Sequence, residues 1–202
     1  MSLNRRAFLF GTVSSALVSS ALVSSAETAE GKGAAMPSPP PGSKSVKDLM
    51  RKCTACNLCI SRCPSNVLKA AGLDYGLGGL MMPRMDFSRG FCRPECAECG
   101  KACPAGAIRP FRAEEKKAMR QGVAIYVKES CLVAKEGLAC GNCAAHCPYQ
   151  ALVMAKAPDG KSYPQVDAAA CAGCGACEYH CPTKAVRVVA RDEAVSAGKG
   201  CV

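Results

Sequence analysis

Sixteen cysteines in four runs of one design dominate this sequence and leave few folds open to it. The runs are Cys53-x2-Cys56-x2-Cys59-x3-Cys63-Pro64, Cys92-x3-Cys96-x2-Cys99-x3-Cys103-Pro104, Cys131-x8-Cys140-x2-Cys143-x3-Cys147-Pro148 and Cys171-x2-Cys174-x2-Cys177-x3-Cys181-Pro182. Groups one and four follow the spacing that holds cubane iron–sulfur clusters in bacterial ferredoxins, and the other two lengthen only the first interval. Three cysteines on a tight loop can reach three irons of one cubane and leave backbone N–H groups for the sulfides. The fourth cysteine is expected to begin a helix, where the following Pro, with its preset φ and no N–H, suits the first turn. In two-cluster ferredoxins the fourth cysteine serves the neighbouring cluster, so the groups should work in pairs. All sixteen are candidate metal ligands, and the expected cofactor is four [4Fe–4S] clusters.

The same spacing excludes other uses of cysteine. With 17 Cys in 202 residues the chain has the composition of a disulfide scaffold, but three cysteines spaced three apart cannot all bridge to neighbours without strain. Zinc sites show separated CxxC pairs or Cys/His mixtures rather than three-plus-one runs ending in Pro. The chain has no Trp, 5 Phe, 5 Tyr and 19 Gly, so its cohesion must come partly from metal. The formal charge of +10 suggests a nucleic-acid or membrane partner at first sight. Without Arg5 and Arg6 the remaining 24 basic and 16 acidic residues leave a surplus of eight. An oxidised cubane with its four thiolates carries about −2, so four of them cancel that surplus. No nucleic-acid partner is expected.

The first 26 residues read as an export signal. Arg5-Arg6 precedes Phe8 and Leu9, a serine-diluted apolar stretch follows at 7–23, and Ser24 and Ala26 suit cleavage after Ala26. This resembles a twin-arginine (Tat) signal, with Asn4 and Phe10 departing from the common pattern. Tat export suits a protein that receives its clusters in the cytoplasm and crosses the membrane folded. The expected location is the periplasm, with a retained membrane anchor as the alternative, and the Tat translocase is an expected partner during export.

The expected fold is α+β: tandem ferredoxin-like 2[4Fe–4S] modules, small and loop-rich. Signal 1–26 is followed by a Pro/Gly/Ser-rich linker, 27–45, that reads as a tether. Groups one and two span 46–112, an inserted helix or connector 113–122, groups three and four 123–192, and a flexible tail 193–202. Strands are expected at 124–127, after Gln150, at 163–166 and at 185–189, with a turn at Pro158-Asp159-Gly160-Lys161. A second topology stays open, in which 108–111 pairs with the strand before Cys131 and joins groups two and three. Which fourth cysteine serves which cluster therefore stays open too.

Several other residues carry chemistry of their own. His146 and His180 each precede a fourth cysteine and either bond a cluster sulfur or pack beside it. Cys201, in the tail, has no partner group and reads as a free thiol. Leu80, Met81, Met82 and Met85 offer either a docking surface or a cover for a cluster. Lys116, Lys117 and Arg120 read as a solvated helix face, with a landing site for an acidic partner as the alternative. No nucleotide fingerprint or nucleophile–base motif stands out, so the chain is read as no enzyme.

The signal, the four groups, the long interval from Cys131 to Cys140 and the Gly122-Val123-Ala124 strand start together resemble the MauM/NapG family of Tat-exported polyferredoxins. That resemblance implies an electron-transfer subunit between a membrane quinol-oxidising protein and a periplasmic oxidoreductase. Its rivals are a freely diffusing periplasmic ferredoxin and a structural or maturation factor whose clusters never turn over. The second group, with Cys96-x2-Cys99, departs from the wider spacing expected of the nitrate-system subunit, so nitrate reduction does not follow.

Overall fold

A computed structural model describes residues 36–191. The signal, the first part of the linker and the tail with Cys201 lie outside the described residues. The helices are short: α1 Val46–Lys52, α2 Leu58–Ser61, α3 Glu98–Ala102, α4 Lys116–Met119, α5 Leu132–Glu136, α6 Asn142–Ala145 and α7 Ala176–His180. The strands are β1 Leu68–Ala70, β2 Pro83–Met85, β3 Gly122–Tyr126, β4 Leu152–Lys156, β5 Ser162–Val166 and β6 Val186–Ala190. Among the described residues no helix is long and apolar enough to cross a membrane.

Strands pair two by two and antiparallel. β1 pairs with β2, with Leu68 opposite Met85, and β4 pairs with β5, with Leu152 opposite Val166. β3 pairs with β6, Gly122 opposite Ala190 and Tyr126 opposite Val186. The segment at 108–111 therefore does not take the strand before Cys131, because β6 occupies that edge. The turn at 158–161 forms as expected: Gly160 sits at φ +77°, and Asp159 accepts hydrogen bonds from the Lys161 N–H and the Tyr163 hydroxyl.

In every run a short helix (α2, α3, α6 or α7) lies before the fourth cysteine rather than after it, contrary to expectation. Cys103 and Cys181 cap the C-terminal ends of α3 and α7. The proline then enters a tight turn whose third residue after the cysteine is left-handed: Asn66, Gly106, Gln150 and Lys184 have φ of 51°, 63°, 52° and 54°. In three of these turns that residue's N–H donates to the cysteine carbonyl, at 3.2, 3.2 and 3.3 Å for Asn66, Gln150 and Lys184. Proline's preset φ serves the second position of a turn here, not a helix start.

The linker expectation also needs correction. Residues 38–42 are buried, with Pro40 and Pro41 among the most enclosed side chains. Pro37 bridges to Val189, and Met36 accepts from the Ala190 N–H at 3.0 Å. Ser38 accepts from the Met85 N–H at 3.0 Å, and Gly42 from the Arg109 N–H at 3.1 Å. The Tyr75 hydroxyl reaches the Pro37 and Ser38 carbonyls at 3.2 and 3.3 Å. Prolines bring no N–H groups that burial would orphan, while their carbonyls accept from neighbours. The stretch 36–42 is a strap joining β6 to the first half of the fold.

The inserted helix is shorter than 113–122. A 3-10 turn, Ala113–Glu115, leads into α4, which Arg120 ends at φ 44°, and Gly122 already belongs to β3. The main apolar core draws on both halves, with Leu49, Val67 and Ile108 from one and Leu152, Val186 and Val188 from the other.

Candidate metal centres

Each cysteine run uses its local structure to aim sulfurs inward. Ser45 caps α1 by accepting from the Asp48 N–H at 3.0 Å, and Asp48 and Lys52 complement the helix ends. That fixes Cys53 at the C-cap, while Cys59, Cys99, Cys143 and Cys177 ride on α2, α3, α6 and α7. Cys131 caps the start of α5, the helix that fills the long third interval.

Sulfur-lined cavities then gather cysteines from two runs at a time. Cys131, Cys140 and Cys143 share a cavity with Cys181. Cys171, Cys174 and Cys177 share one with Cys147. Cys92, Cys96 and Cys99 share another with Cys63. Cys53 and Cys59 sit close enough to both Cys103 and Cys56 for the charges to interact. The fourth cysteines are thus exchanged between groups one and two, and between groups three and four.

The electrostatics explain what such a set needs. Burial pushes the Cys59 thiol up to about 11, and the neighbouring Cys53, Cys103 and Cys56 sulfurs add to it. Burial raises Cys143 to about 11 and Cys99 and Cys174 to about 12, again with other cysteines of the same set contributing. Four thiolates so close and so dry repel one another, and only a cationic core shared among them removes the penalty. Backbone groups help locally. The Ala55 N–H lies 3.4 Å from the Cys53 sulfur, Ile108 N–H 3.4 Å from Cys103, and Ala185 N–H 3.2 Å from Cys181. At Cys181 burial works upward, but the Thr183 hydroxyl and the N–H groups of Val186, Ala185 and Thr183 overcome it and lower the thiol.

The donor sets fit a [4Fe–4S] group: four cysteines each, a shared cavity at three of the sites, and N–H groups directed at the Cys53, Cys103 and Cys181 sulfurs. Among the described residues, no group of three or more His, Cys, Asp or Glu side chains is arranged to hold a single metal ion.

The two histidines pack against each other. Their rings stack 3.8 Å apart, His146 Nδ1 lies 2.9 Å from the Asn142 carbonyl, and Phe91 and Tyr179 flank His180. The methionine-rich connection divides: Met82 and Met85 are buried and Met85 lines the Cys63–Cys92 cavity, while Leu77, Leu80 and Met81 are exposed. Lys117 and Arg120 are exposed as expected, but Lys116 is 1 % exposed and lines that same cavity. The sequence reading missed it, and only Met119, three residues on and partly buried, hints at which face of α4 turns inward.

A small mixed fold that gathers cysteines from paired runs into shared cavities defines an iron–sulfur protein of ferredoxin type. The comparisons agree: residues 138–185 match the 4Fe-4S dicluster domain family. The chain is 31% identical over 141 residues to the methylamine utilization ferredoxin-type protein MauM of Methylobacillus flagellatus, covering 66% of this chain and 59% of that one. It is 30% identical over 150 residues to the ferredoxin-type protein NapG of Escherichia coli, covering 71% and 63%. It is 29% identical over 134 residues to NapF of the same organism, covering 66% and 73%. More particularly, then, the chain is a ferredoxin-type relative of MauM, NapG and NapF, and it spans about three-fifths of the length of MauM and NapG.

Proposed function

We propose that this chain is an exported electron-transfer subunit holding four [4Fe–4S] clusters, without a substrate site of its own. Each bound cluster would accept and return one electron at a time. The observation that carries the reading is the exchange of fourth cysteines, which yields four complete sets of four sulfurs and leaves no described cysteine over. The tandem ferredoxin-like modules proposed are 46–112 and 123–192, with Cys63 and Cys103 crossing within the first and Cys147 and Cys181 within the second.

The halves meet at one sulfur-bearing junction, where the Cys92 N–H donates to the Cys174 carbonyl at 2.9 Å. Electrons would pass from the Cys53 site to the Cys92 site, across to the Cys171 site and on to the Cys131 site, in either direction. The proposed partners are a membrane quinol-oxidising protein and a periplasmic oxidoreductase, with passage through the Tat translocase in between. Relatives named as ferredoxin-type proteins support a redox partner of this kind.

Iron and acid-labile sulfide on anaerobically purified protein test the reading. About sixteen irons per chain, with four reducible cubane signals by EPR, support it. About twelve or fewer on intact protein reject the four-site wire. Replacing Arg5 and Arg6 with Lys should hold the protein in the cytoplasm, and unchanged export would reject the Tat route.

A further inference from the structure

One buried charge lies outside everything the cysteines explain. Among the described residues the buried polar or charged side chains are Ser38, Lys116 and Gln121, so Lys116 is the single buried ion. Its ammonium donates to the Arg93 carbonyl and, at 2.6 Å, to the Cys96 carbonyl. The ion pairs of the described residues are Lys52–Asp48, Arg84–Asp74, Arg84–Asp86 and Lys101–Glu98, and Lys116 joins none of them. A buried cation without a carboxylate is costly unless another anion compensates it. The anion within reach is the thiolate set of the cavity that Lys116 lines with Cys63, Cys92, Cys96 and Cys99.

We propose that Lys116 is the counter-ion of the site formed by Cys63, Cys92, Cys96 and Cys99, and that its fixed charge gives this site the highest reduction potential of the four. The inference rests on the four-cluster reading above. Taking up one electron makes a loaded site more negative by one charge, and an ammonium already in place stabilises that state without a proton having to follow. Low surrounding polarisability makes a full buried charge weigh more than the N–H dipoles that serve Cys53, Cys103 and Cys181. The position matters because Cys92 is also the residue hydrogen-bonded to Cys174 across the junction. An electron donated by a quinol-linked partner would come to rest where the halves meet, and would leave one at a time to the oxidoreductase acceptor.

The test is an EPR-monitored redox titration of the anaerobically purified full chain as wild type, Lys116→Met and Lys116→Arg, with iron counted in each. The expected result is a lowered potential for one cluster in Lys116→Met, largely restored in Lys116→Arg, with the other three unmoved. No shift at unchanged iron content overturns the proposal and leaves the four-cluster reading intact. A common shift of all four marks a general structural role and also overturns it. If Lys116→Met fails to load, Cys96→Ala with Lys116 intact decides: loss or conversion of the highest-potential signal supports the proposal, and loss of any other overturns it. A wild-type count short by one site, with Cys96→Ala changing nothing, overturns the reading and the proposal together.

Discussion

Groups one and four have identical spacing and different surroundings. Both place left-handed residues at the third and fifth positions of the run: Ala55 and Asn57 in one, Gly173 and Gly175 in the other. The same backbone path therefore forms from quite different side chains. What differs is how close the rest of the protein comes. In group four all four cysteines are buried, whereas in group one Cys56 is exposed, Cys53 and Cys63 are half-buried and only Cys59 is enclosed. A side chain at Gly173 would meet the backbone of Gly122 at 2.5 Å, and one at Gly175 would strike the Phe87 ring. Spacing makes the cradle, and glycine decides how deeply it can be buried.

Removing a ligand should give the largest contrast. Cys177→Ala, in the buried group, is expected to lose about four irons and much of the fold, since solvent cannot replace the sulfur there. Cys56→Ala, at the exposed loop, is expected to lose about one iron, with a solvent ligand in place of the thiolate. Iron counts and EPR line shape distinguish them, and equal losses would break the comparison. Next in size, Gly175→Ala should destabilise the loaded protein by about 3 kcal/mol through overpacking and left-handed strain. Ala55→Gly, at the corresponding position of group one, should stay within about 1 kcal/mol. Thermal unfolding under anaerobic conditions reads both.

A smaller effect concerns the strap that borders both regions. Tyr75→Phe removes the hydroxyl shared by the Pro37 and Ser38 carbonyls and should cost about 1 kcal/mol. A neutral result would mean the strap is held by its packed prolines and its backbone hydrogen bonds to Met85, Arg109 and Ala190. The smallest expectation is none at all: Cys201→Ala should leave iron content unchanged, and any loss would show that the ligand assignment is incomplete.

Much of this was legible because cysteine chemistry is local. The runs, the strand before Cys131, the turn at Asp159-Gly160 and the strands expected at 163–166 and 185–189 follow from spacing and β propensity, the last lying one residue further on at Val186–Ala190. Three features were hidden for a shared reason: they depend on contacts far along the chain. Pro37–Pro41 look like a tether until β6 and Tyr75 are placed beside them. Lys116 looks like Lys117 until the face of α4 is fixed against the Cys92 loop. The exchange of fourth cysteines could be paired in two ways on spacing alone, and the partner chosen by β3 favours one of them. The helix expected after each Cys-Pro failed for a local reason: a left-handed residue three positions on closes a turn first.

The strap also bears on the order in which the molecule can be completed. It is the earliest described stretch to leave the ribosome, yet its hydrogen-bonding partner Ala190 lies at the far end of the described chain. Closing so long a loop is slow compared with forming the hairpins between. Residues 38–42 can dock as Tyr75, Met85 and Arg109 emerge, but Met36 and Pro37 gain their β6 partners last, so protection of this first end of the strap from cleavage would time the finishing of the whole fold.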